Sequence, residues 1–129
     1  MKQPPLANAE LAVMELLWDE DRLPARHIRE QLYPHATKAQ HGTVQKLLQR
    51  LEDKGYVERD RKLSVHLFSA AVSRQAYAGR QLELLAAKLT AGSFAPLITH
   101  LVEEKKISRE EIDRIRAILN EYEGGGEQV

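Results

Sequence analysis

The spacing of apolar residues changes character once, near residue 55, and that change limits the fold more than any other feature of the chain. Before it, Val44, Leu47, Leu48 and Leu51 recur at the i, i+3, i+4 and i+7 positions of one buried helical stripe. Gly55 then offers the left-handed backbone that ends a helix cheaply. Beyond it, "YVERD" and "VHLFS" are short runs of β-branched and aromatic residues, separated by "RKLS". The pattern predicts an amphipathic helix that feeds directly into a hairpin.

Two more helical segments precede that helix. Asn8 is placed to cap a helix reaching about Asp19, with Val13, Met14, Leu16 and Leu17 on its apolar face and Trp18 as a core anchor. Pro24 suits the first turn of a second helix, "PARHIREQLYP", in which Ile28 and Leu32 lie four apart and Pro34 is the stop. The polar stretch "HATKAQ" reads as the loop into the third helix. Three helices and a hairpin within about 65 residues is the layout of a winged helix-turn-helix. The fold class expected is therefore mainly α with a small β-hairpin.

After Ser73 the helical period returns. Residues 74–91 carry Leu82, Leu85 and Leu89 at close to heptad spacing, and Gly92 breaks the run. "FAPLITHLVEEKK" is a shorter helix, and Ser108 with Glu111 forms a capping box that opens a last one. In that last helix Ile112, Ile115, Leu119 and Tyr122 form one seam, with Ile118 beside it. Three such helices have too little sequence for a private core. Amphipathic helices in that position bury their stripes against a second copy. The expected organisation is a winged-helix DNA-binding domain over 1–72 and a helical dimerisation region over 73–123. Its contacts come from Leu82, Leu85, Leu89, Ile112, Ile115, Leu119 and Tyr122. A disordered tail, 124–129, ends the chain.

Charge separates the same two parts. Over its 129 residues the chain is balanced, with 19 Lys and Arg against 19 Asp and Glu. Only the distribution can then direct a partner. Residues 22–66 hold ten basic and five acidic side chains, and four of the five histidines; residues 73–129 hold eight and nine. Within the basic part, residues 36–51 contain Lys38, His41, Lys46 and Arg50 and no carboxylate at all.

With Val44 facing the core and about 100° per residue, Gly42, Gln45, Lys46, Gln49 and Arg50 point outward and Thr43 lies at the flank. Those side chains suit base edges: Gln for adenine, Arg or Lys for guanine, a Thr methyl for thymine. A carboxylate on that face would repel phosphates. Gly42 lets backbone approach a phosphate closely. At the hairpin tip, Arg61 and Lys62 extend toward a neighbouring stretch of DNA backbone, assisted by Arg59. An ordinary solvated helix face has a similar composition; the hairpin and the order of elements favour the DNA reading.

Other chemistries find little support. His27, His35, His41 and His66 show no helical ligand-pair spacing and have no cysteine to assist them, so no metal or other cofactor is expected. There is no phosphate loop, no nucleophile elbow and no acid pair in an apolar context, so no catalytic residues are assigned and the chain is not read as an enzyme. The charges of "RLEDKGYVER" read as a helix end and a strand's solvent face. The absence of cysteine suits a reducing cytoplasm. The N-terminus lacks a signal-peptide core, and no apolar run approaches the roughly 18 residues of a membrane span. The competing reading is a winged helix that binds an acidic protein instead of DNA.

Three segments carry a family resemblance. "AELAVMELLWDE" resembles the first helix, "GTVQKLLQRLEDKGYVER" the recognition helix and first wing strand, and "LITHLVEEKKISREEIDRIRAILNE" the closing helices of the penicillinase repressors, the BlaI/MecI/CopY group of winged-helix regulators. The resemblance spans nearly the whole chain. It implies a homodimeric repressor on a pseudo-palindromic operator of double-stranded DNA. It implies DNA contacts at Thr43, Gln45, Lys46 and Arg50, with Arg61 and Lys62 in the wing. Gln45 and Gly42 stand where better-known members carry basic residues. The resemblance also implies release by proteolysis in the penultimate helix, by a membrane sensor protease. His100–Leu101 occupies the position of the family's Asn-Phe bond. Copper-responsive relatives carry a C-terminal cysteine motif that this chain lacks.

Overall fold

The structure is a computed structural model that describes residues 5–35 and 38–126. Six helices and three short strands follow in the order α1 (Asn8–Asp19), β1 (Leu23–Pro24), α2 (Ala25–Leu32), α3 (Lys38–Asp53), β2 (Val57–Asp60), β3 (Leu67–Ala70), α4 (Arg74–Leu89), α5 (Ala95–Glu103) and α6 (Arg109–Gly126). The chain divides into two compact units, Met1–Gln81 and Leu82–Val129. None of the described helices is long and apolar enough to cross a membrane.

In the first unit the predicted stripes meet in one core. Val13, Met14 and Leu17 of α1, Ile28 of α2, and Val44, Leu47, Leu48 and Leu51 of α3 are buried together with Tyr56, Val57 and Phe68. Burying side chains of this size contributes about 1.5–3 kcal/mol each. Trp18 is half-buried at the edge of the core; its Nε1–H donates to the Val72 carbonyl at 2.8 Å and its ring lies 6.0 Å from that of Tyr77. Tyr77 Oη in turn accepts the Leu6 N–H at 2.9 Å. Arg74 pairs with Glu15 at 2.7 Å and Asp19 at 3.3 Å. The first turn of α4 is thereby tied to α1.

Local signals acted as chemistry requires, with several corrections. The cap of α1 is Ala7, not Asn8. The Ala7 N–H donates to Glu10 Oε1 at 3.0 Å, which is the glutamate half of a capping box; the alanine side chain cannot supply the other half. Pro24 lies in β1 and precedes α2 as its cap, where its missing N–H costs nothing. The sheet has three strands, order β1-β3-β2, rather than two. Leu23 pairs with Phe68 and Pro24 with Leu67, a ladder of two residues that no periodicity could announce. Finally, α3 starts at Lys38, inside the stretch read as loop; Ala36 and Thr37 of that stretch lie outside the described residues.

Gly55 stops α3 as expected, at φ 85°. Its N–H donates to the Glu52 carbonyl at 3.0 Å and the Tyr56 N–H to that of Leu51 at 2.8 Å, the two bonds of a Schellman motif. The hairpin follows at once, with Val57 opposite Ala70 and Asp60 opposite Leu67. Residues 61–66 form its tip, so the second strand begins two residues later than "VHLFS" suggested.

In the second unit, Pro96 sits in the first turn of α5, and Ser108 Oγ accepts the Glu111 N–H at 3.1 Å to open α6. Gly92, at φ 87°, follows α4. Leu82, Leu85 and Leu89 of α4, Leu119 and Tyr122 of α6, and Ile98, Leu101 and Val102 of α5 are all exposed, Tyr122 to 77%. Ile112 and Ile115 are half-buried. α6 runs through Gly126; residues 127–129 lie outside the described residues.

Candidate nucleic-acid interface

The outward face of α3 is a product of its inward one. With Val44, Leu47, Leu48 and Leu51 held in the core, helical geometry turns Thr43, Gln45, Lys46, Gln49 and Arg50 to solvent, and all five are exposed. Gly42 lies on the same surface, with open space where a Cβ would stand. Among the described residues no ion pair engages Lys46 or Arg50, so both cations can meet an anion without first leaving a partner. Gln45 Nε2 lies 3.4 Å from His41 Nε2, one turn back. Gln49 is more committed: its Nε2 donates to Asp53 Oδ1 at 2.9 Å, and its Oε1 accepts from Arg59 at 3.4 Å.

The wing arginines are not equivalent. Arg59 stands directly opposite Phe68 in the ladder and its guanidinium lies 4.7 Å from the centre of that ring. Its side chain is only 14% exposed, so it packs within the fold instead of reaching outward. Arg61 is exposed, yet its guanidinium lies 3.0 Å from Glu52 Oε2, and Arg59 Nε lies 3.3 Å from the other oxygen of the same carboxylate. Lys62 is exposed at the tip, and its backbone N–H donates to Asp60 Oδ1 at 2.9 Å. Asp60 also pairs with Arg22, on the loop before β1. That backbone bond, with the charges of Arg22 and Lys62, holds the Asp60 carboxyl below the usual aspartate range, so it is ionised at neutral pH.

Between α3 and the wing lies a cleft of about 340 Å³. Pro24, Ala25, Val65 and Phe68 line it, and His41 and Gln45 border it from the helix side. It brings the amino-terminal half of α3 and the wing tip to one concave surface, basic on balance and apolar within.

Two connections escaped the sequence. The charges of "RLEDKGYVER" do not merely face solvent. Glu52 joins α3 to both wing arginines, and Lys54 Nζ reaches back 2.8 Å to Glu10 Oε2, a carboxylate that is 3% exposed. Burial pushes the Glu10 carboxyl up, but the hydrogen bonds from Lys54 and the Ala7 N–H, with the Lys54 charge, prevail and hold it below the ordinary 4.5. Neither link follows a helical or strand spacing, because each crosses a turn or a helix–helix contact.

Comparison with known proteins agrees with this architecture. The penicillinase repressor family model matches residues 6–121. The methicillin resistance regulatory protein MecI of Staphylococcus aureus is 25% identical over 115 residues, covering 89% of this chain and 93% of that protein. The penicillinase repressor of Bacillus licheniformis is 23% identical, covering 94% of each. The transcriptional regulator BlaI of Mycobacterium tuberculosis is 31% identical over 122 residues, 93% of this chain and 86% of BlaI. Among solved structures, that of the hsRosR-S4 complex superposes with a TM-score of 0.50 at 16% identity over 95% of this chain and 94% of the other, a likeness of fold. The winged helix-turn-helix, the exposed Thr43, Gln45, Lys46 and Arg50 of its third helix and the match over residues 6–121 together make the chain a member of the penicillinase repressor family of transcriptional regulators, not an enzyme.

Proposed function

We propose that the chain is a cytoplasmic, homodimeric repressor that occludes a pseudo-palindromic operator. The observation that carries the reading is the exposed surface of α3, where Lys46 and Arg50 stand unpaired among the described residues beside Thr43 and Gln45. Thr43, Gln45, Lys46, Gln49 and Arg50 read base edges in a major groove, and Arg61 and Lys62 of the wing neutralise phosphates beside it. The relatives named MecI and BlaI, called regulators, support a DNA-binding regulator.

The second unit joins two copies. Its support is the run of exposed apolar side chains: Leu82, Leu85, Leu89, Leu119 and Tyr122, with Ile112 and Ile115 half-buried beside them. One winged helix makes few contacts, and tethering two gives the second a high effective concentration, worth about 10²–10⁴ in affinity. Cutting or loosening residues 93–122 then releases DNA without touching the reading helix. His100–Leu101 lies in α5 with both residues exposed, accessible to a sensor protease in the membrane.

The test is a mobility shift followed by footprinting on the DNA upstream of the chain's own gene. A retarded complex with a two-fold-symmetric footprint supports the reading. No retardation at low salt, or a protected site without symmetry, overturns it, and capture of an acidic protein by the same face would replace it.

A further inference from the structure

Among the described residues Glu52 is the carboxylate of the reading helix that touches both wing arginines, and it is only 19% exposed. Arg61 Nη2 lies 3.0 Å and 3.3 Å from its two oxygens. Arg59 cannot move to meet a ligand, since it is stacked on Phe68 and enclosed. Its Nε is buried with no hydrogen-bond partner, so it offers Glu52 charge rather than a directed bond. Arg61 is the accessible member: exposed and at the start of the tip. A phosphate approaching the wing must therefore compete with Glu52 for Arg61.

We propose that Glu52 is a specificity-determining positioning residue, which holds Arg61 against α3 in the free protein and withholds it from DNA that does not seat the wing. This inference rests on the DNA-binding reading above. A carboxylate so placed weakens contact with any duplex, because Arg61 must break an existing ion pair before it can join a phosphate. On a site where α3 is fully docked, the wing is brought to the backbone and the exchange is favourable. On random sequence it is not. Glu52 thus widens the gap between specific and non-specific affinity without contacting a base.

The test measures binding of a labelled random-sequence duplex, by fluorescence anisotropy, to the full chain and to E52Q, R61A and E52Q/R61A. Glu52→Gln keeps the shape of the side chain and removes its charge. The expected results are tighter non-specific binding by about two- to fivefold, the range of a single exposed ion pair, and a log–log salt dependence steeper by about one between roughly 50 and 200 mM, one additional phosphate contact. In the R61A background the same substitution is expected to change neither quantity, as required if Glu52 acts through Arg61. An equal gain with and without Arg61 overturns the proposal, since it would mean simple removal of a repelling charge. An unchanged affinity and slope for E52Q overturns it too. If E52Q does not fold, E52D, with its carboxylate withdrawn by one methylene, replaces it and is expected to shift both quantities in the same direction. Wild-type protein that ignores duplex DNA altogether overturns the DNA-binding reading itself, and this inference with it.

Discussion

Lys46 and Arg50 are exposed on α3 and, among the described residues, no ion pair engages either. Arg22, Arg59, Arg61, Lys54 and Arg74 are all paired within the chain. An unpaired cation gives its full charge to a ligand. Arg50→Ala and Lys46→Ala are expected to weaken operator binding by about 1–3 kcal/mol each where the side chain reaches a base. A titration that finds both variants equal to wild type removes α3 as the reading element. Glu10 is the opposite case, a charge enclosed by its partners. Its carboxyl sits below the ordinary 4.5 in the fold, so its contribution is present above that pH and is lost as pH falls through the lower folded value. Glu10→Gln should cost about 1–3 kcal/mol near neutral pH by leaving Lys54 without its partner. It should also flatten the acid limb of stability against pH, measured by urea midpoints from pH 7 to 3 as an order-of-magnitude window around the carboxylate range. A variant with an undiminished acid limb would assign the pH dependence elsewhere. The stripe of α3 was legible because helical spacing alone decides which side chains face the core. Glu10 was not, because its burial depends on Lys54, a residue that only the packing of α1 against the end of α3 brings near.

At the scale of elements, the junction between α3 and the hairpin determines where the wing stands. Gly55 takes a left-handed backbone there, and the two Schellman bonds turn the chain from helix into strand within three residues, Lys54, Gly55 and Tyr56. Gly55→Ala is expected to cost about 1–2 kcal/mol, the penalty of a Cβ in that conformation, and to lower DNA affinity by misaligning the wing. Space for the methyl is open, so the cost comes from the backbone and not from a clash. Thermal unfolding that shows no loss would mean the junction relaxes freely. The sequence revealed this turn clearly, since only glycine tolerates it well. It did not reveal β1, whose two residues have no period, nor the grip of Glu52 on both wing arginines, which spans that same turn. Thus the helices and the turn could be read from local chemistry, while the connections that fix the wing against α3 are tertiary.

At the scale of the whole molecule, the exposed leucines of α4 and the exposed face of α6 call for a covering surface. The dimer proposed above would cover them with the same surface of a second copy. Leu119→Asp is expected to give a monomer by light scattering and to reduce operator affinity by about 10²–10⁴, the loss of tethering. A dimer that survives the substitution would place the joint on other residues. The small sheet narrows the choices for that joint. Its middle strand, β3, is paired on both sides. One border is two residues long and contains a proline, and the other, "VERD", alternates acid and base with no apolar side chain after Val57. Short, charged or proline-bearing borders resist strand-by-strand growth. Among the described strands, backbone pairing between copies is therefore disfavoured, which leaves side-chain packing between helices as the route for the association proposed above.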